Sequence, residues 1–270
     1  MRNKNEHAIY TQMKRSVVLD ILKFLAVIAA AVWLMSRGTE RLGYNWQWYQ
    51  VPKYIFQIQD GQLIWGPLID GLMVTFRITA WGLVLATIFG LVTALFRLSA
   101  SFVSRALARG YVEIIRNTPL LVQIFFLYFV LAPVLNLDRF FAAVLALSLF
   151  EGAYASEIFR AGIVSIHQGQ WEAAYSLGLG SYHTYRYIVL PQAIRRILPP
   201  LTSQGISLIK DSALVSTIAV YDLTMQGRAI IAETFLTFEI WFTVAAIYLI
   251  ITVTLSLVVT VMENHFKIRV

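Results

Sequence analysis

Four charged residues lie inside long apolar stretches of the chain, where a charge has to be explained. They are Arg77, Glu151, Lys210 and Asp211. A charge near the bilayer centre costs about 2.5–3.5 kcal/mol on insertion scales, so each of them needs a partner or a function. All four fall at a similar depth in their stretches, where membrane transporters hold their substrates.

A solute with both an ammonium and a carboxylate group would suit this set of charges. Glu151 could accept the ammonium and Arg77 the carboxylate, and Tyr154 shares the Glu151 face of a helix at position i+3. The candidate substrate pathway is therefore Glu151, Arg77, Tyr154, Lys210 and Asp211. The alternative is that Glu151 pairs with Lys210 and Arg77 with Asp211, and that these pairs only fix helix packing. No cluster of His, Asp and Glu has metal-site spacing, so no metal is expected.

The composition indicates which elements position these charges. Of 270 residues, 58% are hydrophobic and 14% are charged, and the mean hydropathy is +0.66. Soluble domains are about 45–50% apolar and about 25% charged, so a soluble enzyme, a disordered chain and a DNA-binding domain are excluded. The lack of cysteine excludes a disulfide framework and a catalytic thiol. We expect an all-α, polytopic bundle of membrane-spanning helices.

Six segments are apolar over the roughly 20 residues needed to cross the bilayer core. The predicted spans are Ser16–Ser36, Leu68–Phe96, Pro119–Leu135, Phe140–Ile163, Ile197–Val220 and Ile240–Met262. The first is the weakest, because it contains Asp20 and Lys23, and it could be a cleaved signal peptide. No small-x-small cleavage site closes it before Arg37, which favours a retained anchor.

Small residues recur every four positions in the second span, at Gly82, Ala86 and Gly90. Such a face lets another helix approach closely, so we expect a packing interface there.

Basic residues give the orientation of the spans. Fifteen of the 22 Lys and Arg residues are counted on the side of the N-terminus, including Lys23 and Arg160, which lie toward the inner ends of their spans. Five fall on the opposite side, and Arg77 and Lys210 lie deeper within spans. The positive-inside rule then places both termini in the cytoplasm. The segment Gly38–Pro67 is outside and rich in aromatic residues, which is typical of an interfacial segment, although a binding surface for a soluble partner remains an alternative.

A cytoplasmic loop from residue 164 to residue 196 is too long for a turn. Helices are predicted over Gln170–Leu177 and from Ser181 to about Ile188, with a break at Gly178 and an end before Pro191. The spacing alone fits either a compact two-helix knob or an ordinary interfacial helix.

The loop resembles a known motif. Glu172-Ala173-Ala174 is followed after three residues by Gly178 and after nine more by Ile188-Val189-Leu190-Pro191. This matches every fixed position of the EAA loop of ATP-binding-cassette importer permeases, EAA-x3-G-x9-I-x-L-P. Segments at residues 116–123, 152–163, 199–201 and 208–212 are similar to the polar amino acid subfamily.

The resemblance covers roughly Leu68 to Val270 and implies two parts. Residues 1–67 would form an N-terminal anchor with the outer aromatic segment, and residues 68–270 a five-span permease core with the coupling loop 164–196. The residues implied to contact an ATPase are Glu172, Ala173, Ala174, Gly178, Leu190 and Pro191.

The resemblance also implies partners and a location. The chain would be a multi-pass subunit of the bacterial inner membrane, would work with a second permease, itself or a relative, and would receive an amino acid from a periplasmic binding protein. Two copies of a separate ATPase would use ATP and Mg, since no G-x-x-x-x-G-K-[ST] phosphate loop occurs in this sequence. The chain itself is expected to bind no cofactor and to be no enzyme.

Two other hypotheses fit part of the pattern. An ion- or proton-coupled secondary transporter would explain the intramembrane charges, but it predicts inverted repeats that the sequence does not display and leaves the EAA-like loop unexplained. A scaffold or degenerate permease would explain the loop, but the intact intramembrane charges count against it.

Overall fold

The chain forms a helical bundle with one short β-hairpin, in a computed structural model that describes residues 2–41, 43–59 and 61–266. The all-α prediction is confirmed for the bundle. In the first part of the chain the elements are α1 (Arg2–Arg41), α2 (Pro52–Ile55), β1 (Phe56–Gln59), β2 (Gln62–Trp65), α3 (Pro67–Leu98), α4 (Phe102–Arg116), α5 (Leu120–Phe125) and α6 (Ala132–Leu135).

The second part contains six more helices. They are α7 (Arg139–Val164), α8 (Gln168–Ser176), α9 (Ser181–Thr184), α10 (Leu190–Asp211), α11 (Leu223–Thr234) and α12 (Thr237–Phe266). Short irregular helices join some of these elements: 3₁₀ turns at Trp48–Gln50 and Ser212–Ile218, and π turns at Phe126–Leu131 and Tyr185–Val189.

Side-chain caps explain where three of the helices begin. The Asp138 carboxylate accepts a hydrogen bond from the Phe141 amide at 2.8 Å at the start of α7, and Asp222 does the same for Met225 at 2.8 Å at the start of α11. At the start of α4, the Ser101 hydroxyl oxygen accepts a hydrogen bond from the Ser104 amide at 3.3 Å. Each cap satisfies an amide that has no partner within its own helix.

Among the described residues, four helices are long and apolar enough to cross a membrane. They are Val18–Gly38 within α1, all of α3, all of α7 and Thr237–Val261 within α12. These correspond to the first, second, fourth and sixth predicted spans.

The other two predicted spans differ from expectation. Leu120–Leu135 follows α4 after a bend of 107°, so a crossing here would need both pieces as one broken span. The segment predicted as Ile197–Val220 begins earlier, as α10, and ends as a 3₁₀ turn. Because α10 carries a polar face, it does not meet the apolar criterion of a span, and the count of six is not confirmed.

Helices α3 and α7 pack against each other through small residues. A Cβ added to Gly90 would lie 2.7 Å from the Cβ of Ala155, and one added to Gly152 would lie 2.9 Å from the Cβ of Phe89. A Cβ added to Gly82 would lie 3.2 Å from the Cδ2 atom of Leu208 on α10. The predicted packing role of the small-residue face is therefore confirmed.

The chain divides into two compact units, residues 1–47 and 48–270. The division falls before the predicted boundary at residue 67, because Tyr54 and Ile55 of α2 pack on a buried cluster that includes Leu68 and Ile240. The first unit consists of α1 and the residues after it, and every described side chain of its apolar segment is exposed within this single chain.

Candidate functional site

Glu151 lies at the junction of α3, α7 and α10 and is only 1% exposed. The side-chain amide of Gln204, on α10, donates a hydrogen bond to its Oε2 atom. Asp211, seven residues further along α10 and on the same face, also approaches the Glu151 carboxyl group. The other oxygen, Oε1, is buried and has no hydrogen-bond partner among the described residues. A buried carboxylate oxygen without a donor is costly, so this junction is the first candidate for a functional site.

A small cavity adjoins this carboxylate. Its walls include Leu83 and Thr87 of α3, Ala155 of α7 and Gln204 of α10. Its volume is about 10 Å³, which is room for about one water molecule and not for an amino acid. Glu151 can therefore reach a larger ligand only if the helices around this cavity, α3, α7 and α10, move apart.

The other intramembrane charges are arranged differently. Arg77 on α3 and Lys210 on α10 are exposed in the single chain, and Asp211 is half-buried. Among the described residues, no ion pair joins Glu151 to Lys210 or Arg77 to Asp211. Exposed cations at this depth cannot face hydrocarbon cheaply, so their surroundings must come from outside this chain or from an aqueous path.

Tyr154 lies one turn from Glu151 and is half-buried. Its ring packs against Phe150, with 5.1 Å between centroids, and the Arg116 guanidinium lies 5.2 Å from its centroid. The ring therefore connects the Glu151 region to a second cluster of charges nearer the end of α7.

That second cluster is centred on Glu157. Its carboxylate binds Arg97 of α3 in a short hydrogen bond and Arg160 at 3.1 Å, and Arg116 of α4 lies 3.6 Å away. One carboxylate thus ties the ends of three helices and leaves a local surplus of positive charge. The sequence did not reveal this cluster, because two of its arginines, Arg97 and Arg116, come from other helices than Glu157.

Helices α8 and α9 form a compact two-helix knob after α7. The Gly178 amide binds the Tyr175 carbonyl at 2.9 Å and the Leu179 amide binds the Ala174 carbonyl at 3.1 Å, which together make a Schellman cap. Gly178 has a φ of +75°, in the left-handed region that favours glycine. The predicted break at Gly178 is confirmed in this geometry.

The knob packs on the rest of the core through part of one face only. Ala174 is 2% exposed, whereas Glu172, Ala173 and Gly178 are exposed to solvent. Leu177, the last residue of the predicted helix Gln170–Leu177, is 80% exposed, and α8 ends one residue before it, at Ser176.

The predicted end of the second knob helix before Pro191 is wrong. The helical run continues from α9 through the π turn Tyr185–Val189 into α10. Proline is tolerated within this run because the π turn shifts the hydrogen-bond pattern just before it. The second helix of the knob, α9, and α10 thus form one continuous helical run, with Leu190 and Pro191 both exposed on it.

Gln204 is the site residue that sequence reasoning missed. The signal was present, since Gln204 and Asp211 are seven residues apart and so share a helix face, but only the structure places that face against Glu151.

A family model described as "Binding-protein-dependent transport system inner membrane component" matches residues 82–270. The glutamine transport system permease protein GlnP of Escherichia coli is 41% identical over 215 residues, which cover 77% of this chain and 98% of that protein. The L-cystine transport system permease protein TcyB of Bacillus subtilis is 43% identical over 207 residues, covering 76% and 88%.

The fold of this chain is also similar to solved transporter structures. A crystal structure of an amino acid ABC transporter with histidines has 38% identity and a TM-score of 0.70, over 74% of this chain and 94% of that one. The methionine transporter MetNI, in an inward-facing conformation, shares the fold at 16% identity and a TM-score of 0.65, over 75% and 97%.

Proposed function

Since the chain belongs to the family of inner-membrane components of binding-protein-dependent transport systems, we propose that it is the permease subunit of an ATP-driven importer of polar amino acids. It is a transport component of the inner membrane and no enzyme. The named functions of its relatives favour this function over an ion- or proton-coupled secondary transporter.

The continuity of the knob with α10 carries the mechanism. Glu172, Ala173 and Gly178 are exposed on α8 and at the bend after it, and the helical run that starts beyond the bend at Ser181 carries Gln204, which binds Glu151 deep in the bundle. A movement of the knob would therefore act on the contact at Glu151. A rigid helix pair transmits such a movement, whereas a flexible loop would absorb it.

The ATPase is the proposed partner at the knob. Its contact surface on this chain would be Glu172, Ala173, Gly178, Leu190 and Pro191, with Ala174 as the buried support beneath them. Two ATPase copies would each bind one knob and use ATP and Mg. The proposal requires the knob and both termini to lie in the cytoplasm, as the distribution of basic residues predicts.

A second permease is the proposed neighbour of the exposed intramembrane cations. Arg77 and Lys210 would face either the partner permease or the aqueous path between the two, and the hydrocarbon is the least favourable surrounding. The partner could be a second copy of this chain or a related permease.

The substrate path is proposed to pass Glu151. When α10 moves away, the Oε1 atom, which has no hydrogen-bond partner among the described residues, and the oxygen released by Gln204 would accept a positively charged group of the substrate, above all that of a cationic side chain, while Arg77 would attract its carboxylate. Tyr154, Lys210 and Asp211 would complete the wall of the path. Polar neutral or cationic amino acids would be favoured over acidic ones.

Purification with its partners tests the proposal. The complex of permease, ATPase and liganded binding protein should hydrolyse ATP in a vanadate-sensitive reaction that the liganded binding protein stimulates. ATP hydrolysis that does not respond to any binding protein, in an intact complex, would contradict it. Labelling a cysteine at Ala173 from the periplasmic side would contradict the proposed orientation.

A further inference from the structure

The hairpin β1–β2 has one apolar face and one largely polar face. The strands are antiparallel with Phe56 opposite Trp65 and Ile58 opposite Leu63. Residues directly opposite each other share a face of the hairpin, so these four side chains form one surface, called here the apolar hairpin face. On the other face Gln57 lies opposite Ile64, and Gln62 follows on the same side.

The apolar hairpin face has no cover within this chain. Its side chains are 49% exposed at Phe56, 80% at Ile58, 61% at Leu63 and 62% at Trp65. On the polar face, by contrast, the Gln57 amide turns back to the Lys53 carbonyl at 2.9 Å. Four large apolar side chains side by side in water are unfavourable, so this surface needs a partner.

The base of the hairpin is fixed rigidly to the bundle. The Gly66 amide binds the Ile55 carbonyl at 2.8 Å, and a Cβ on Gly66 would collide with the backbone of Tyr54. Tyr54 and Ile55 pack on the buried cluster that contains Leu68 and Ile240. The direction in which the hairpin projects is therefore set by the spans and does not depend on a flexible linker.

The level of the hairpin is given by its neighbours. Only Gly66 separates β2 from α3, and α3 is one of the membrane-spanning helices. The ring of Trp48, shortly before the hairpin, contacts the ring of Phe242, with 6.4 Å between centroids, and Phe242 lies within the first two turns of α12. The hairpin thus begins where two spans end, at the level of the lipid headgroups.

We propose that the apolar hairpin face lies in the interfacial layer of the outer leaflet and anchors the outer end of α3 to the lipid. Trp, Phe, Ile and Leu are the side chains that the boundary between headgroups and acyl chains accepts, and the two strands contain no charged residue that would oppose immersion. Glutamine on the opposite face suits contact with water.

The lipid is favoured over a soluble protein for two reasons. The hairpin is joined through Gly66 alone to α3, one of the membrane-spanning helices, so its apolar side chains lie beside the end of a span. A docking surface for a soluble protein would be expected to carry a polar or charged rim, and within the strands the polar side chains lie on the opposite face.

Two isoleucines on opposite faces make a matched test. The chain has no cysteine, so Ile58→Cys and Ile64→Cys can each be labelled with a nitroxide before the complete transporter is assembled in lipid nanodiscs. Paramagnetic resonance then compares collisions with oxygen, which concentrates in lipid, and with a water-soluble nickel chelate. Leu63→Cys and Gln62→Cys form a second pair.

The proposal predicts a severalfold higher oxygen-to-nickel collision ratio at positions 58 and 63 than at positions 64 and 62, without any binding protein present. Equal access of nickel to all four positions would overturn it. Protection of 58 and 63 only after liganded binding protein is added would identify a protein-docking surface instead. Spin–spin broadening between labels at position 58 would identify a second copy of the chain.

Discussion

The side-chain amide of Gln204 binds the carboxylate of Glu151 and so attaches α10 to α7 in the middle of the bundle. The other carboxylate oxygen is buried and has no hydrogen-bond partner among the described residues. It lies beside a cavity that holds about one water molecule. This arrangement would close the proposed substrate path at Glu151. In that proposal α10 moves away from Glu151, and α10 is continuous with α9 of the knob.

Glu151→Gln should alter substrate preference. The variant keeps the size of the side chain and an acceptor for Gln204, but it loses the charge that attracts a cation. A hydrogen bond to a charged group is worth about 1.5–3 kcal/mol, so apparent affinity for a cationic amino acid should fall about tenfold or more, and affinity for a neutral one should fall less. The measurement is uptake of the two substrates side by side in proteoliposomes.

Glu113→Gln is the matched control, because Glu113 is an exposed carboxylate on α4. It should leave both uptake rates unchanged. If Glu151→Gln lowers thermal stability while the ratio between substrates stays as in the unmodified chain, Glu151 is a structural residue and the proposed path is wrong.

Gly178→Val should uncouple ATP hydrolysis from transport. The φ of +75° at this position is strained for any side chain and most of all for a β-branched one, at a cost of roughly 1–2 kcal/mol. The Schellman cap should open and the knob should lose its fixed angle to α10. Uptake per ATP hydrolysed should fall severalfold, while the amount of protein in the membrane stays the same.

Gly180→Val provides the comparison. Gly180 has a φ of −68° and a ψ of 162°, which valine adopts readily, and a Cβ there would meet nothing within 4 Å. In the Gly180→Val variant, uptake per ATP hydrolysed should match that of the unmodified chain. An equal loss of coupling in both variants would show that the bend geometry at Gly178 is not what matters.

Much of the fold was predictable because it follows from local patterns. Length and apolarity located α1, α3, α7 and α12, and the four-residue repeat of small residues predicted a packing face on the second span. The structure places α7 and α10 against that face. The π turn before Pro191 and the bend of 107° before Leu120 were not predicted, because tertiary packing decides them.

The site was predictable only in part. The cost of a buried charge singled out Glu151, and the EAA motif located the knob and its bend at Gly178. Gln204 was missed because an uncharged amide carries little cost that a sequence reveals. The cluster at Glu157 was missed because Arg97 and Arg116 reach it from other helices. The hairpin was read as part of an interfacial segment, but its two faces depend on a strand register that appears only in the structure.

Gly90→Ala should destabilise the bundle. The added Cβ would lie 2.7 Å from the Cβ of Ala155 and 3.1 Å from the Gly152 carbonyl oxygen, so α3 and α7 must separate. Overpacking of this kind costs about 1–3 kcal/mol. Thermal unfolding in detergent should show a lowered midpoint, and the second change Ala155→Gly should restore part of it.

Gly110→Ala is the opposite case on α4. A Cβ there meets nothing within 4 Å, so the substitution should be neutral or should stabilise by about 0.5–1 kcal/mol through helix propensity. If both alanine variants unfold at the same temperature, the contact between α3 and α7 is looser than described.

Asp222 should make stability depend on pH. It lies outside the predicted spans at the start of α11, fully buried, with Met225 as a backbone donor and the Tyr248 hydroxyl 3.5 Å from its other oxygen. Burial raises its pKa from 3.8 to about 6, which means that the folded state favours the protonated form. Its contribution to stability is therefore greatest at low pH and is lost as the pH rises from about 4 through about 6.

Asp222→Asn should remove this dependence and keep the cap, because asparagine caps a helix as well as aspartate does. The loss between pH 4 and 7 should amount to roughly 2–3 kcal/mol in the unmodified chain and should be nearly absent from the variant. The measurement is the unfolding midpoint of both proteins across that pH range. Parallel pH profiles would show that Asp222 is not the group that titrates.

The central claim is that the chain is the permease of an ATP-driven importer that depends on a binding protein. Uptake into proteoliposomes, in which ATP and ion gradients are controlled separately, tests this claim most directly. The vesicles contain the permease with its ATPase, and a radiolabelled polar amino acid is supplied outside with its binding protein. We predict accumulation that needs ATP on the ATPase side and the binding protein on the other, stops with vanadate and persists when an ionophore abolishes all ion gradients. Accumulation driven by a proton or sodium gradient, without ATP and without a binding protein, would contradict the account.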